Sequence, residues 1–405
     1  MKRWLLTLLI TFVITPGLAA ADVVTEWNEI ALASAVTAKQ LATDASRTTA
    51  LVHAAIFDAV NAIEGRYQPY RVTIAASHGA SAEAAAAAAA HVALMRLYPD
   101  QKGALDAAYA KSLSRIADGN AKNDGIAVGE KVAADLVTLR ATDGSTAPNV
   151  YRPATTAGVY VPTVLPVASH WGNLTPWVLQ RGSQFRPGSP PTLTSSEWAR
   201  DCLEIVNVGG KKSTGRTPEQ TDIARFWIIV GPASWDPILR SLAATPGRSL
   251  VQNARLFALA EMAAADAYIA VFDAKYTYNF WRPVTAIRNG DMHGNAAMSR
   301  VPDWEPLIDT PLHPEYPCAH CITSAAVATV LEAEFSPGPI PEVTMTSSTA
   351  PGVVRRWISA RAYTDEVSVA RIYGGIHYRT STVVGQTMGR QIGEVAVQQY
   401  LKPIR

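Results

Sequence analysis

Cysteine is nearly absent from this 405-residue chain: Cys202, Cys318 and Cys321 are the only three. So few exclude a disulfide-built scaffold, and in an oxidising compartment an odd count leaves at least one thiol unpaired within the chain. Charge of one sign is missing too. Lys and Arg number 36 against 34 Asp and Glu, a net +2, with no basic run, so nucleic acid is excluded as a partner. No internal repeat and no sustained two-residue alternation appears, which excludes solenoids and large sheets.

What is present begins with an export signal over residues 1–21. Lys2 and Arg3 form its positive end, Trp4 to Val13 its apolar stretch, and Ala19, Ala20 and Ala21 its small-residue cleavage region. That stretch is shorter than the about twenty residues a membrane span needs. The expected mature chain starts near Asp22, secreted or periplasmic, with no membrane partner after cleavage.

The mature chain reads as all-α, in two helical-bundle halves. Residues 22–190 read as an N-terminal bundle ending in an irregular connection, and residues 191–405 as a C-terminal bundle carrying the chemistry. Glu83 to Tyr98 runs through seven consecutive alanines into Val92, Leu94, Met95 and Leu97, apolar at helical spacing. Thr49–Glu64 and Ala121–Arg140 read similarly. Asn149 to Pro191, rich in proline and glycine, predicts a long irregular connection. Helices are predicted again at 199–208, 220–227, 250–275, 318–335, 353–363 and 383–400.

Three short segments bring cations and imidazoles together. Lys275 and Arg282 stand seven apart, two helical turns, which predicts one shared face about 10 Å apart along the axis. Pro283 disfavours helical geometry at Arg282 and predicts a helix end there, aimed into a cleft. In His313-Pro-Glu-Tyr-Pro317-Cys318-Ala319-His320 a proline-rich stretch meets an apolar helix. Its N-terminus offers free N–H groups and the positive dipole end to an anion, with His320 in the first turn. In Arg371-Ile-Tyr-Gly374-Gly375-Ile-His377 two glycines let the chain turn so that both side chains face one point.

These spacings resemble the signature of the vanadium-dependent haloperoxidases, whose superfamily includes type 2 phosphatidic acid phosphatases and bacterial acid phosphatases. The signature is Lys-x6-Arg-Pro, then Pro-Ser-Gly-His, then Ser-Arg-x5-His. Here it reads Lys275-x6-Arg282-Pro283, Pro317-Cys318-Ala319-His320 and Ala370-Arg371-x5-His377. Arg216-Thr217-Pro218 with Phe226-Trp227 extends the likeness upstream. The resemblance implies a helical fold and a vanadate, or a phosphate in the same site, held by Lys275, Arg282, Arg371, Cys318 and the Ala319 amide. It implies His377 as metal ligand, or as nucleophile in a phosphatase. His320 is implied as general acid–base, Lys275 as the group polarising bound peroxide, and His313 as a substrate-tuning residue. The implied partners are hydrogen peroxide and a halide or small organic donor.

Departures from the signature sharpen the question. Cys318 replaces a serine donor, and a thiol there is a poorer donor, open to peroxide. Cys318-x-x-Cys321 has redox-motif spacing, but without a surrounding βαβ pattern a Cys202–Cys321 disulfide is the favoured pairing. Carboxylates expected near Val230 and at Ser381 are missing, as is the serine at Ala370, so His377 lacks a visible orienting partner. The leading expectation is a peroxidase of haloperoxidase type. The alternatives are an acid phosphatase acting through a phospho-histidine, and an oxyanion-binding protein without turnover.

Overall fold

The computed structural model describes residues 22–404; the export signal expected over residues 1–21 lies outside them. The first half contains α1 (Val23–Thr37), α2 (Ala42–Glu64), α3 (Ala82–Leu97), α4 (Lys102–Leu113) and α5 (Asn120–Arg140). The second contains α6 (Ser196–Val208), α7 (Pro218–Phe226), α8 (Asp236–Ala243), α9 (Leu250–Tyr278), α10 (Pro283–Arg288), α11 (Ala319–Phe335), α12 (Ala360–Tyr373) and α13 (Arg379–Gln399). Among the described residues the sheet content is one antiparallel hairpin, β1 (Val343–Ser347) with β2 (Ala350–Trp357). The fold is therefore all-α as expected. The expected helix over 353–363 is wrong in its first half. Val353 to Trp357 belong to β2, entered through Pro351 and a left-handed Gly352, and the helix starts only after the Ser359 cap. Helices α1, α4, α8 and α10 were not anticipated.

Helix α9 is the axis of the molecule. A Ser249–Gln252 capping box starts it, and its 29 residues are buried almost all round, which suits a sequence apolar on every face. It packs on α2 from one side and on α11 and α13 from the other, so one continuous apolar core runs through both halves. The alanine run of α3 lets neighbours approach closely. At Gly129 of α5 a Cβ would lie 2.2 Å from the Ala85 carbonyl oxygen, so only glycine fits.

The connection over 149–191 is irregular as expected but firmly held. Trp171 and Trp177 are buried. Asp266 of α9 accepts the backbone N–H groups of Trp177, Val178 and Leu179 at 2.7, 2.8 and 2.7 Å. Burial, opposed by those three donors, pushes the Asp266 carboxyl up from 3.8 to about 6. A carboxyl raised by folding contributes stability that is complete below 3.8 and lost as pH climbs to about 6. We expect unfolding free energy to fall over this window by about 3 kcal/mol from this group. Asp266→Asn should flatten that slope and cost about 2–3 kcal/mol at neutral pH, because its amide would face N–H donors. Urea denaturation at pH 4 and pH 6.5 measures both; parallel losses in the two proteins would refute the assignment.

Candidate active site

The three cation-bearing segments converge. Lys275 occupies the last turn of α9, which ends at Tyr278 on a left-handed Asn279. Arg282 is the extended N-cap of α10, set by Pro283. The helix-end expectation for Arg282 thus holds, whereas a shared helical face with Lys275 does not, since the helix stops between them. Arg371 lies in the last turn of α12. Gly374 and the left-handed Gly375 follow. A Cβ at Gly375 would lie 2.3 Å from the Gly209 carbonyl oxygen. This tight turn brings His377 back toward Arg282.

Lys275 and Arg282 are buried beneath the proline-rich segment between His313 and Pro317. The Lys275 ammonium donates to the carbonyls of Pro314, Glu315 and Pro317 at 2.9, 2.8 and 2.5 Å. All three of its N–H bonds are occupied, so it brings charge to the site but no free donor. Burial and the neighbouring Arg282 press it well below the ordinary lysine range, with Glu315 opposing. Arg282 donates Nε to the His313 carbonyl at 2.9 Å and Nη1 to the Ile376 carbonyl at 2.9 Å. Nη1 also reaches His377 Nε2 at 3.2 Å, and Nη2 reaches His313 Nδ1 at 3.0 Å. Burial brings its guanidinium down to about 10. Arg371 donates Nη1 to the Trp227 carbonyl, its Nε is buried without a partner, and burial then Arg282 push it down to about 9.

His377 has the carboxylate that the sequence did not reveal. Its Nδ1 lies 2.7 Å from Glu315 Oε1, which also accepts the Tyr378 N–H at 3.1 Å. The proton therefore sits on Nδ1, and Nε2 keeps a lone pair facing Arg282. Burial and the adjacent Arg282 hold the ring neutral, well below the ordinary imidazole range. Burial raises Glu315 to about 7, against the pull of Lys275 and Arg282. Ser381, where a phosphatase-like aspartate was expected, is buried with its hydroxyl unpartnered. Glu315 was missed because nothing in a loop carboxylate between two prolines points to a histidine 62 residues later.

His320, in the first turn of α11, lines the cavity. Its Nε2 lies 2.9 Å from the Ile229 carbonyl, which can only accept, so Nε2 carries the proton and Nδ1 is the basic nitrogen. Burial and Arg371 hold it well below the ordinary range. Ala319 and His313 also line the cavity. The expectation for the cysteines is corrected. Cys318 and Cys321 are joined by a disulfide and Cys202 is the free, buried one. The extended N-cap geometry of Cys318 swings its sulfur over the first turn of α11. No thiol is left to face an anion there. A thiol titration of the denatured protein should find one thiol before reduction and three after; three before reduction would overturn the pairing.

Three buried cations thus stand around one neutral histidine whose Nε2 lone pair faces Arg282 Nη1 at 3.2 Å, and Glu315 is the carboxylate acting on Lys275 and Arg282. The surplus positive charge, the unpartnered Arg371 Nε–H and the Nε2 lone pair fit a tetrahedral oxyanion that also takes one nitrogen ligand. Lys275 fits it through charge alone. This all-helical, cation-lined pocket and the fold around it are similar to those of the vanadium-dependent haloperoxidases. The model of the VCPO second helical-bundle domain matches residues 255–405. The vanadium chloroperoxidase of Curvularia inaequalis is 28% identical over 171 residues, 35% of this chain and 27% of that protein, so the match spans about a quarter of its length. A bacterial vanadium-dependent iodoperoxidase structure superposes with TM-score 0.79 and 25% identity, covering 94% of this chain and 95% of its own. An apo bacterial vanadium-dependent chloroperoxidase shares the fold at TM-score 0.71 and 17% identity, over 88% and 93%.

Proposed function

We propose that the chain is a peroxidase of haloperoxidase type, oxidising a halide or similar two-electron donor with hydrogen peroxide at a vanadate held by Arg282, Arg371 and His377. The observation that carries this reading is His377, its Nδ1 proton fixed on Glu315 and its Nε2 lone pair set among buried guanidiniums. Bound there, vanadate supplies Lewis-acid activation of peroxide. Arg282 and Arg371 neutralise the anion through charge-assisted hydrogen bonds. Lys275 adds a third positive charge while holding the carbonyls of the 314–317 segment in place. His320 takes and returns a proton at Nδ1, because its Nε2 proton is engaged by Ile229. Phosphate has the same shape and charge and competes for the site.

The export signal and the Cys318–Cys321 disulfide support an oxidising compartment outside the cytoplasm. No described helix is long and apolar enough to cross a membrane. The Glu315–His377 pair would equally serve a phospho-histidine mechanism, so the test pairs two assays on one preparation. Halide oxidation with vanadate and peroxide is expected, with p-nitrophenyl phosphate left intact. His320→Ala should lower halide oxidation about 10²- to 10⁴-fold while vanadate still binds. Phosphomonoester cleavage without peroxidase activity would overturn the reading.

A further inference from the structure

The carboxylate behind His377 is satisfied on one oxygen only. Glu315 Oε1 accepts from His377 Nδ1 and the Tyr378 N–H at 2.7 and 3.1 Å, whereas Oε2 is buried without a protein partner. The Tyr378 phenol oxygen and the Ser381 hydroxyl are orphaned in the same way. These three side chains line one small space of about 10 Å³, separate from the oxyanion cavity, together with Asp201, Trp198 and Phe280. Glu315, Tyr378 and Ser381 are 0%, 3% and 1% exposed, so bulk solvent does not serve them.

One short stretch and one loop build this space. Tyr378 is the extended N-cap of α13, and Ser381 follows three residues on, a helical spacing that sets neighbours on one face. The tyrosine ring packs 4.7 Å from Trp198 and 6.0 Å from Phe280, which fixes where its hydroxyl lies. Burial, then Cys202 and Glu315, hold that phenol well above its ordinary range, so it keeps its donor proton. Against the burial that raises Glu315, the Ser381 hydroxyl is near enough to pull it down. A buried donor or acceptor without a partner forfeits its hydration. Three of them around one space of this size point to a shared partner.

We propose that this space binds one water molecule, through which Tyr378 and Ser381 act as positioning residues for His377. The water donates to Glu315 Oε2 and accepts from the two hydroxyls, about three bonds being usual for a buried water. An anion would meet Glu315 and Asp201 there. Among the described residues no group of three His, Cys or carboxylate side chains could hold a metal ion. With Oε2 tied down, the carboxylate cannot turn about its last bond, and Oε1 stays on His377 Nδ1. The imidazole plane is thereby set, and its Nε2 lone pair is held toward the oxyanion site. The positioning role rests on the proposed binding of vanadate by His377; the water site does not.

The test has a structural arm and a binding arm. A crystal structure of the anion-free protein, at a resolution that shows ordered solvent, is expected to place a water within hydrogen-bond distance of Glu315 Oε2, Tyr378 Oη and Ser381 Oγ. Tyr378→Phe/Ser381→Ala removes both hydroxyls without changing charge. Calorimetric titration should find its vanadate affinity about tenfold lower, the usual lower bound for losing such support. Sulfate, which binds through charge alone, should bind as before. Ser381→Thr, which keeps the hydroxyl, should match wild type. In a Glu315→Gln background the two substitutions should cost nothing further, since they act through that carboxylate. Should the double variant fail to fold, Ser381→Ala alone is expected to shift vanadate and not sulfate. No water at the three oxygens would overturn the site. Equal vanadate affinity, a parallel fall for both anions, or an undiminished loss without Glu315 would overturn the positioning role. A wild type that holds the water but binds no vanadate would sink that role together with the peroxidase reading, while supporting the water site.

Discussion

Arg371→Ala is expected to weaken vanadate binding by roughly two to three orders of magnitude, the effect of removing one partner from a buried charged pair. The Arg371 guanidinium is buried, and its Nε–H has no protein partner, so an oxyanion oxygen is the acceptor that satisfies it. Neither Lys275 nor Arg282 can take over. The Lys275 donors are engaged by three carbonyls, and Arg282 already spans His313, Ile376 and His377. Loss of Arg371 therefore leaves the anion undercompensated in a low-dielectric pocket. Calorimetric titration with vanadate, repeated with phosphate, measures this without relying on activity. Equal affinity in wild type and variant would end the cation-cage model.

Glu315→Gln separates coordination from electrostatics. Glutamine keeps an oxygen able to accept from His377 Nδ1 and the Tyr378 N–H, but it removes the negative charge that makes the imidazole a better ligand. Vanadate affinity and vanadate-dependent turnover should fall about 10- to 100-fold, the usual cost of losing such a supporting carboxylate. Sulfate, which binds through charge alone, should bind more tightly, since one buried anion has left a positive site. Opposite signs for the two anions are the expected result. A parallel fall for both would mean that Glu315 matters for packing rather than for the basicity of His377.

The sequence disclosed what spacing can disclose. Lys275, Arg282, His320, Arg371 and His377 meet because short motifs fix each side chain relative to a proline, a helix start or a glycine turn. What it hid depends on contacts between distant segments. Glu315 finds His377 only when the proline-rich segment folds over α9. Cys321 bonds Cys318 rather than Cys202 because the N-cap holds the Cys318 sulfur over the first helical turn, a local geometry that cysteine spacing does not display. Lys275 was expected to polarise the bound oxidant, and its true neighbours are carbonyls of the chain segment crossing above it. Around 353–357 the residues suited a helix or a strand equally, and pairing with β1 across the Ser348–Thr349 turn decided for the hairpin.

Helix α9 carries Asp266, which fastens the connection, Tyr268 and Phe272, which wall the cavity, and Lys275, which underlies the oxyanion site. Each residue along an α-helix turns by 100°, so these functions share one angular register. Inserting or deleting a single residue between Leu250 and Lys275 would rotate everything beyond it and misdirect wall, anchor or cation together. The segments around Leu41, Ile228 and Leu312 at the cavity rim have no such tie: they lie at or beyond helix ends. Changes of chain length are therefore accommodated at the rim, while α9 can change only by substitution.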